Sequence, residues 1–380
     1  MKRSGRMNAA AILGLGLLWL PALPAAAQIN EAPIDWSRAS ELHRRAQRGE
    51  RLTPEEQAYY DRAKKLRGQS QTRPQPGEAA APLTNGFKAT PLTELGGGKY
   101  KGEEGGLYGG GRNAPPEAHR AAAKRETSQI RPLDARGQPS PDGRIVLVSI
   151  GMSNTTQEFS EFVRLANADP DKSPRVTALD GAQGGMEALA WATLPRPWET
   201  LLGRLQTAGL STQQVQVAWV KLARAGPARL GEFPKHAQEM KGHELKVLQI
   251  LRQRFPNLRV AYLSSRIYAG YARSQLNPEP YAYEGAFTVR WLIQDQMAGN
   301  PELSFTATKE EAKAPLLLWG PYLWASGATP SKEGLAWLPE DFAPDYTHPG
   351  RSGQQKVAGQ LLQFFKRDPF ARSWFLKPRE

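Results

Sequence analysis

Residues 144–154 read RIVLVSIGMSN: one basic residue, an apolar run, then the turn Gly151-Met152-Ser153-Asn154. The polar stretch Thr155-Thr156-Gln157 follows, and beyond it Phe159, Phe162, Val163 and Ala166 recur at helical spacing. A short run of β-branched residues closed by glycine and passing into a helical period reads as a buried strand that turns into a helix. The same alternation continues downstream. Apolar runs at 175–179, 215–220, 259–263 and 315–318 complete a set of five, and amphipathic stretches at about 236–255 and 286–297 lie between them, the second with Val289, Ile293 and Met297 on one stripe. A last helix is predicted over roughly 353–365, burying Val357, Leu361, Leu362 and Phe365. Strand alternating with helix implies parallel pairing, right-handed crossovers and helices on both faces. The expected fold class is therefore α/β, a flavodoxin-like, doubly wound, five-stranded parallel sheet within residues 144–380, whose ligands sit at the carboxyl ends of the strands.

Upstream the composition changes repeatedly. Lys2, Arg3 and Arg6 precede an apolar stretch from Ala9 to Leu20, too short to span a bilayer comfortably, and Ala25-Ala26-Ala27 offers small residues for cleavage near Gln28. Residues 1–27 thus read as a signal peptide, with a retained anchor as the alternative; the expectation is an exported chain without a stable membrane span after cleavage. Residues 35–67 read as a helical hairpin: Asp35 can cap the first helix, Gly49 breaks it, and Thr53-Pro54-Glu55-Glu56 opens the second with a capping box and a proline at the first helical position. Residues 68–81 are a Gln/Pro/Ser/Arg-rich linker. Residues 82–143 form a glycine-rich arm, with Gly96-Gly97-Gly98, Gly105-Gly106 and Gly109-Gly110-Gly111. No strand precedes these glycines and no Gly-Lys-Ser/Thr ending follows, so an irregular segment wrapped on the next domain fits better than a phosphate cradle.

The 380 residues contain no cysteine, which removes disulfides, thiolate nucleophiles and Cys-ligated metals, and leaves packing as the source of stability. The formal charge is +13, or +10 once the three basic residues of the leading segment are set aside. Lysine and arginine are spread along the chain without a basic run interleaved with aromatics, so the excess reads as a general surface property, and nucleic acid is not an expected partner.

Chemistry is expected where strands end. A serine at a strand-to-helix turn is held out of the sheet, and the positive end of the helix can stabilise an anion beside it. Ser153 occupies such a turn. A serine hydroxyl needs a base, and the base a carboxylate to orient it. Of five histidines, His43 and His119 lie outside the α/β segment, and His236 and His243 read as solvated or interhelical. His348 lies in Pro344-Asp345-Tyr346-Thr347-His348-Pro349-Gly350, just ahead of the last helix, on the same end of the sheet as Ser153. Asp345 can fix its tautomer; equally, Asp345 can cap turn amides and leave His348 incidental. His236 and His243 are seven apart, without the close pairing of a zinc helix, and neither a metal nor another cofactor is expected.

Ser153 in a first block, Gly181 after the second strand and Asp-x-x-His-Pro before the last helix together resemble the ordered blocks of the SGNH (GDSL-like) hydrolases. The resemblance covers about residues 144–365 and is most specific over 345–358; residues 149–159 and 277–291 also resemble an SGNH-like domain of uncharacterised exported bacterial proteins. It implies an SGNH hydrolase fold with Ser153, Asp345 and His348 as catalytic residues. It also implies an oxyanion hole built from the amides of Ser153 and Gly181, although Gly181 is equally a plain turn glycine. An asparagine expected after the third strand is missing: the chain has Ala218-Trp219-Val220-Lys221-Leu222-Ala223 there. Lys221 either donates in its place or is simply solvated. Asn154, Gln183, Arg266, Tyr283 and Trp319 are the expected substrate contacts, Arg266 by gripping an oxygen. Trp319, like Tyr322 and Trp324, either stacks on a sugar ring or fills the core.

These readings imply an exported serine esterase that works through an acyl-enzyme, with a carbohydrate or other ester as substrate. The alternative is a non-catalytic carbohydrate-binding or cell-surface protein with a decayed oxyanion hole.

Overall fold

The computed structural model describes residues 34–47, 50–69, 83, 86–305 and 312–378; the leading segment 1–27 and most of the linker 68–81 lie outside them. The chain divides into two compact units, Met1–Ala79 and Ala80–Glu380. In the first, α1 (Trp36–Gln47) and α2 (Pro54–Gln69) form the expected hairpin. Thr53 Oγ1 accepts the Glu56 amide at 3.2 Å while Glu56 Oε2 accepts the Thr53 amide at 2.9 Å, the reciprocal capping pair the residues foretold. Arg45 of α1 also reaches Glu56, at 2.7 Å. Among the described residues of this unit, Ala39, Leu42 and Ala63 are the buried apolar ones.

The second unit opens with the glycine-rich arm. It holds a two-residue hairpin, β1 (Lys99–Tyr100) antiparallel to β2 (Glu103–Glu104), and then a helix, α3 (Glu117–Thr127), in a stretch expected to be irregular. Glu117-Ala-His-Arg-Ala-Ala-Ala-Lys is rich in helix formers, and Ala122 and Ala123 bury against the body.

The body is an α/β fold. Strands β3 (Ile145–Gly151), β4 (Val176–Leu179), β5 (Val215–Lys221), β6 (Val260–Leu263) and β7 (Leu316–Trp319) pair in parallel in the order β4-β3-β5-β6-β7. Each lies within one residue of its sequence expectation. All seven residues of β3 and of β5 are buried, as strands covered on both faces must be. Between them run α4 (Ser153–Ala168), α5 (Ala188–Thr193), α6 (Arg196–Thr207), α7 (Lys235–Arg254) and α8 (Tyr281–Met297), followed after β7 by α9 (Arg351–Arg367) and α10 (Arg372–Phe375). Helix α4 packs on α9, with Phe162 and Phe365 ring centroids 5.5 Å apart, while α7 packs on both α5 and α8.

The chain leaves β3 for β4 on one side and returns to β5 on the other. The turn after β3 therefore stands at the point where strand order reverses, the place such sheets offer to ligands. Among the described residues no helix is long and apolar enough to cross a membrane.

Candidate active site

The register brings Gly151, the last residue of β3, opposite Lys221 of β5. A Cβ on Gly151 would lie 2.5 Å from the Lys221 carbonyl oxygen and collide with Thr155, so only glycine lets the chain turn here. Met152, in extended conformation, precedes the first turn of α4, and Ser153 is its first residue. The first amides of a helix have no intrahelical acceptor and carry its partial positive charge, so the Ser153 hydroxyl stands where an anion is favoured.

Residues 344–350 descend from the other side. The Ser153 hydroxyl lies 2.7 Å from His348 Nε2, and His348 Nδ1 lies 2.5 Å from Asp345 Oδ2. With Asp345 accepting from Nδ1–H, Nε2 is left to accept from the serine. The two uses expected as alternatives for Asp345 coexist. Its Oδ2 holds the ring, and its Oδ1 accepts the amides of Thr347 and His348 at 3.0 Å each. Partial burial works to raise its pKa, but the bonds from the His348 ring and from those two amides outweigh it and hold the carboxyl down at about 2. Tyr346, at the crest of the turn, adopts φ 50°, a left-handed conformation uncommon for a side chain of this size. Such a chain of hydroxyl, imidazole and carboxylate lets a ring nitrogen take the hydroxyl proton as the oxygen attacks an electrophile.

The remaining site expectations need correction in several places. The Gly181 amide is not turned toward Ser153: it donates to Ser149 Oγ at 3.0 Å, and a Cβ on Gly181 would strike the Ser149 carbonyl oxygen at 2.5 Å. Close packing on β3 explains this glycine. The next two amides are engaged as well, Ala182 with Ser149 and Asp180, Gln183 with the Gly151 carbonyl at 3.1 Å. Lys221 is neither solvated nor free to donate. It is fully buried, and its ammonium pairs with Glu158 of α4, also fully buried. Burial pushes the lysine pKa down and the glutamate pKa up, each toward the neutral form.

Among the expected substrate contacts, Gln183 donates to the carbonyls of Gly181 (3.1 Å) and Pro197 (2.8 Å) and so braces its own loop. Tyr283 and Trp319, 1 % and 4 % exposed, present no face to a sugar. They pin the arm instead: Tyr283 Oη donates to the Thr90 carbonyl at 2.8 Å and Trp319 Nε1 to that of Leu107 at 2.6 Å. Tyr322, whose oxygen accepts the Leu92 amide, does the same. No hydrogen bond among the described residues joins the arm to Ser153, Asp345 or His348. Asn154 and Arg266 are buried too, yet close to the chemistry. Asn154 Nδ2 donates to the Thr347 carbonyl at 3.0 Å, and Arg266 Nη2 to the same oxygen at 3.3 Å.

Three residues that the sequence reading passed over frame the site. Ser149 gives its hydroxyl to Asp180 Oδ1 at 2.6 Å, and Asp180 Oδ2 also receives Thr156 and Ser160, so one half-buried carboxyl ties β3, the turn after β4 and α4 together. Glu158 is the third. Its position five residues after Ser153, on the face of α4 shared with Phe159 and Phe162, was the available signal. His236 and His119 serve structure: the first lies 2.6 Å from Glu284 between α7 and α8, the second 2.8 Å from the Leu317 carbonyl oxygen. Cavities of about 370 Å³ beside His119, Ala122 and Phe305, and of about 240 Å³ beside Lys99, Glu103 and Arg290, lie away from Ser153.

No family model matches the chain, and no curated protein does. Among solved structures it is similar to a candidate acylhydrolase of Bacteroides fragilis, at 13 % identity over 66 % of this chain and 96 % of that one, with a TM-score of 0.34. It is similar also to a lipase from a goat rumen metagenome (14 % identity, 58 % and 96 % covered, TM-score 0.33). A third similar structure is an α/β hydrolase from the metagenome of Lake Arreo, Spain (16 % identity, 57 % and 93 % covered, TM-score 0.34).

Proposed function

We propose that this protein is an exported serine ester hydrolase of the SGNH kind that removes acetyl or similar groups from a carbohydrate. The observation that carries the hydrolytic part is the 2.7 Å contact between Ser153 Oγ and His348 Nε2, with Asp345 behind the ring. Carbohydrate and export rest on the sequence resemblance and on the leading segment.

In this reading His348 Nε2 takes the hydroxyl proton as Ser153 Oγ bonds to the ester carbonyl carbon. The negative charge that develops on the carbonyl oxygen is met at the first turn of α4, by the Ser153 amide. Collapse breaks the bond to the alcohol oxygen, which leaves with the proton from His348. A water then gives its proton to His348 and attacks the acyl-serine, and the acid departs as the proton returns to Ser153. Asp345 keeps the ring in the tautomer this sequence needs and remains ionised throughout. Ser153→Ala is expected to lower turnover of para-nitrophenyl acetate by about 10⁴ or more with the fold intact, and undiminished hydrolysis by that variant would refute the assignment.

A second reading, a binding protein whose catalytic site has decayed, is favoured by one observation: both additional oxyanion donors are spent inside the fold, Gly181 on Ser149 and Lys221 on Glu158. One such donor is typically worth about 10²–10³ in turnover. A fluorophosphonate probe separates the two readings, since an activated Ser153 becomes labelled and an inert one does not.

A further inference from the structure

Arg224, Arg266 and Arg273 stand on the loops that leave the carboxyl ends of β5 and β6. Arg224 is neutralised by Glu187 at 2.5 Å and by Glu239 at 3.8 Å. Arg266 is buried and spends a nitrogen on the Thr347 carbonyl. Arg273 differs from both. It is half-buried, its Nε is enclosed without an acceptor, and among the described residues no carboxylate or carbonyl is bonded to any of its nitrogens. Among the described residues its close charged contact is with a ring: the guanidinium carbon lies over the Tyr346 ring, 4.1 Å from its centroid.

A cation–π contact uses up no hydrogen-bond acceptor, so the guanidinium keeps its N–H donors for another partner. Tyr346 belongs to the turn that joins Asp345 to His348, and Ser274 Oγ, next in sequence to Arg273, lies 2.8 Å from Thr347 Oγ1 of that turn. The cation is therefore held beside the segment that carries the imidazole before any ligand arrives. An arginine so placed, with no carboxylate of its own, is arranged to receive an anion from outside, and charge-assisted bonds to a carboxylate or phosphate are the strong ones.

We infer that Arg273 is an anion subsite of this active centre, so that the preferred substrate is an ester bearing an anionic oxygen group, such as a carboxylate, near the scissile bond. The inference rests on the ester-hydrolase reading and supplies its substrate class. The chain's formal excess of positive charge acts in the same direction, by drawing anions toward the surface.

The test compares neutral and anionic esters on the purified full chain: phenyl acetate against para-acetoxybenzoate, with the charge on the alcohol side, and para-nitrophenyl acetate against the para-nitrophenyl monoester of succinate, with the charge on the acyl side. The quantity read is the ratio of kcat/KM, anionic over neutral, in wild type, Arg273→Lys and Arg273→Gln. The wild type is expected to favour the anionic member of at least one pair by about tenfold, Arg273→Gln to lose that factor, and Arg273→Lys to keep part of it. The wild-type ratio should also narrow in about 0.5 M salt, a reading that needs no variant to fold. Absence of preference in both pairs, or a preference that survives Arg273→Gln, overturns the inference. If the wild type labels with a fluorophosphonate yet shows no preference, the inference alone falls; if it neither labels nor hydrolyses any of the esters, the hydrolase reading falls and takes the inference with it.

Discussion

The side-chain amide of Asn154 donates to the main-chain carbonyl of Thr347 at 3.0 Å, so the residue after the candidate nucleophile holds the residue before the candidate base. Nucleophile and base come from segments almost two hundred residues apart, yet their neighbours are joined directly. Arg266 bonds the same oxygen, and all three partners are buried. The spacing of Ser153 Oγ and His348 Nε2 is thus set by a clamp on the backbone as well as by the two side chains.

Removing the donor should loosen the clamp. Asn154→Asp keeps the shape but cannot donate, and it places a carboxylate against a carbonyl. We expect kcat on para-nitrophenyl acetate to fall by about 10- to 100-fold with KM little changed, because a misplacement on the order of 1 Å is costly in the transition state and not in substrate binding. Steady-state kinetics check this, and an equal loss carried by KM would contradict it.

Asp345 makes the pH dependence signed. Its folded-state pKa, about 2, lies below the ordinary value of 3.8, so its contribution to stability is present above about pH 4 and is lost as the pH falls toward 2. Asp345→Asn should therefore flatten the fall of Tm between pH 4 and pH 2 and lower turnover by about 10⁴. Thermal melts across that interval, together with one rate measurement, test both halves.

The buried pair beneath the site should respond asymmetrically. Lys221→Met alone leaves the Glu158 carboxyl without its partner and is expected to cost about 3–5 kcal/mol, whereas Lys221→Met with Glu158→Met should recover most of that loss. Urea unfolding of the two variants decides it: a double variant no more stable than Lys221→Met would mean that the pair does not act as a unit.

Glu244 of α7 is fully buried with neither carboxyl oxygen bonded, and burial pushes its pKa up to about 8. A carboxyl raised in the folded state stabilises below its ordinary value of 4.5, and that contribution is lost as the pH rises through about 8. Glu244→Gln cannot ionise. Its unfolding free energy in urea should gain on the wild type between pH 5 and pH 9, by an amount on the order of a few kcal/mol, and a constant difference across that range would sink the explanation.

Much of the architecture could be read without coordinates. Five short apolar runs became the five strands because a strand covered on both faces has to be apolar throughout, and the four long helices α4, α7, α8 and α9 followed from stripes such as Val357, Leu361 and Phe365. Helices α5 and α6 were not foreseen: α5 spans only six residues, and Pro195 and Pro197 stand at the start of α6, where proline is tolerated. The errors at the site have one origin. Residue type and spacing said what Gly181, Lys221 and Tyr283 are able to do, and each was found doing something else with a partner distant in sequence, while Trp319 took the core placement that was its other reading.

Local chemistry determined, from the residues alone, where strands end, which serine stands on a turn before a helix, and which aspartate can hold which histidine three residues on. Those are short-range matters, governed by periodicity and by bonds within a few residues. Only the tertiary structure decided which donors remain available. A hydrogen-bonding group buried in a fold takes the nearest acceptor in space, and the acceptors here, Ser149 for the Gly181 amide, Glu158 for Lys221 and the Thr347 carbonyl for Asn154 and Arg266, are brought near by the winding of the sheet and not by the order of the chain.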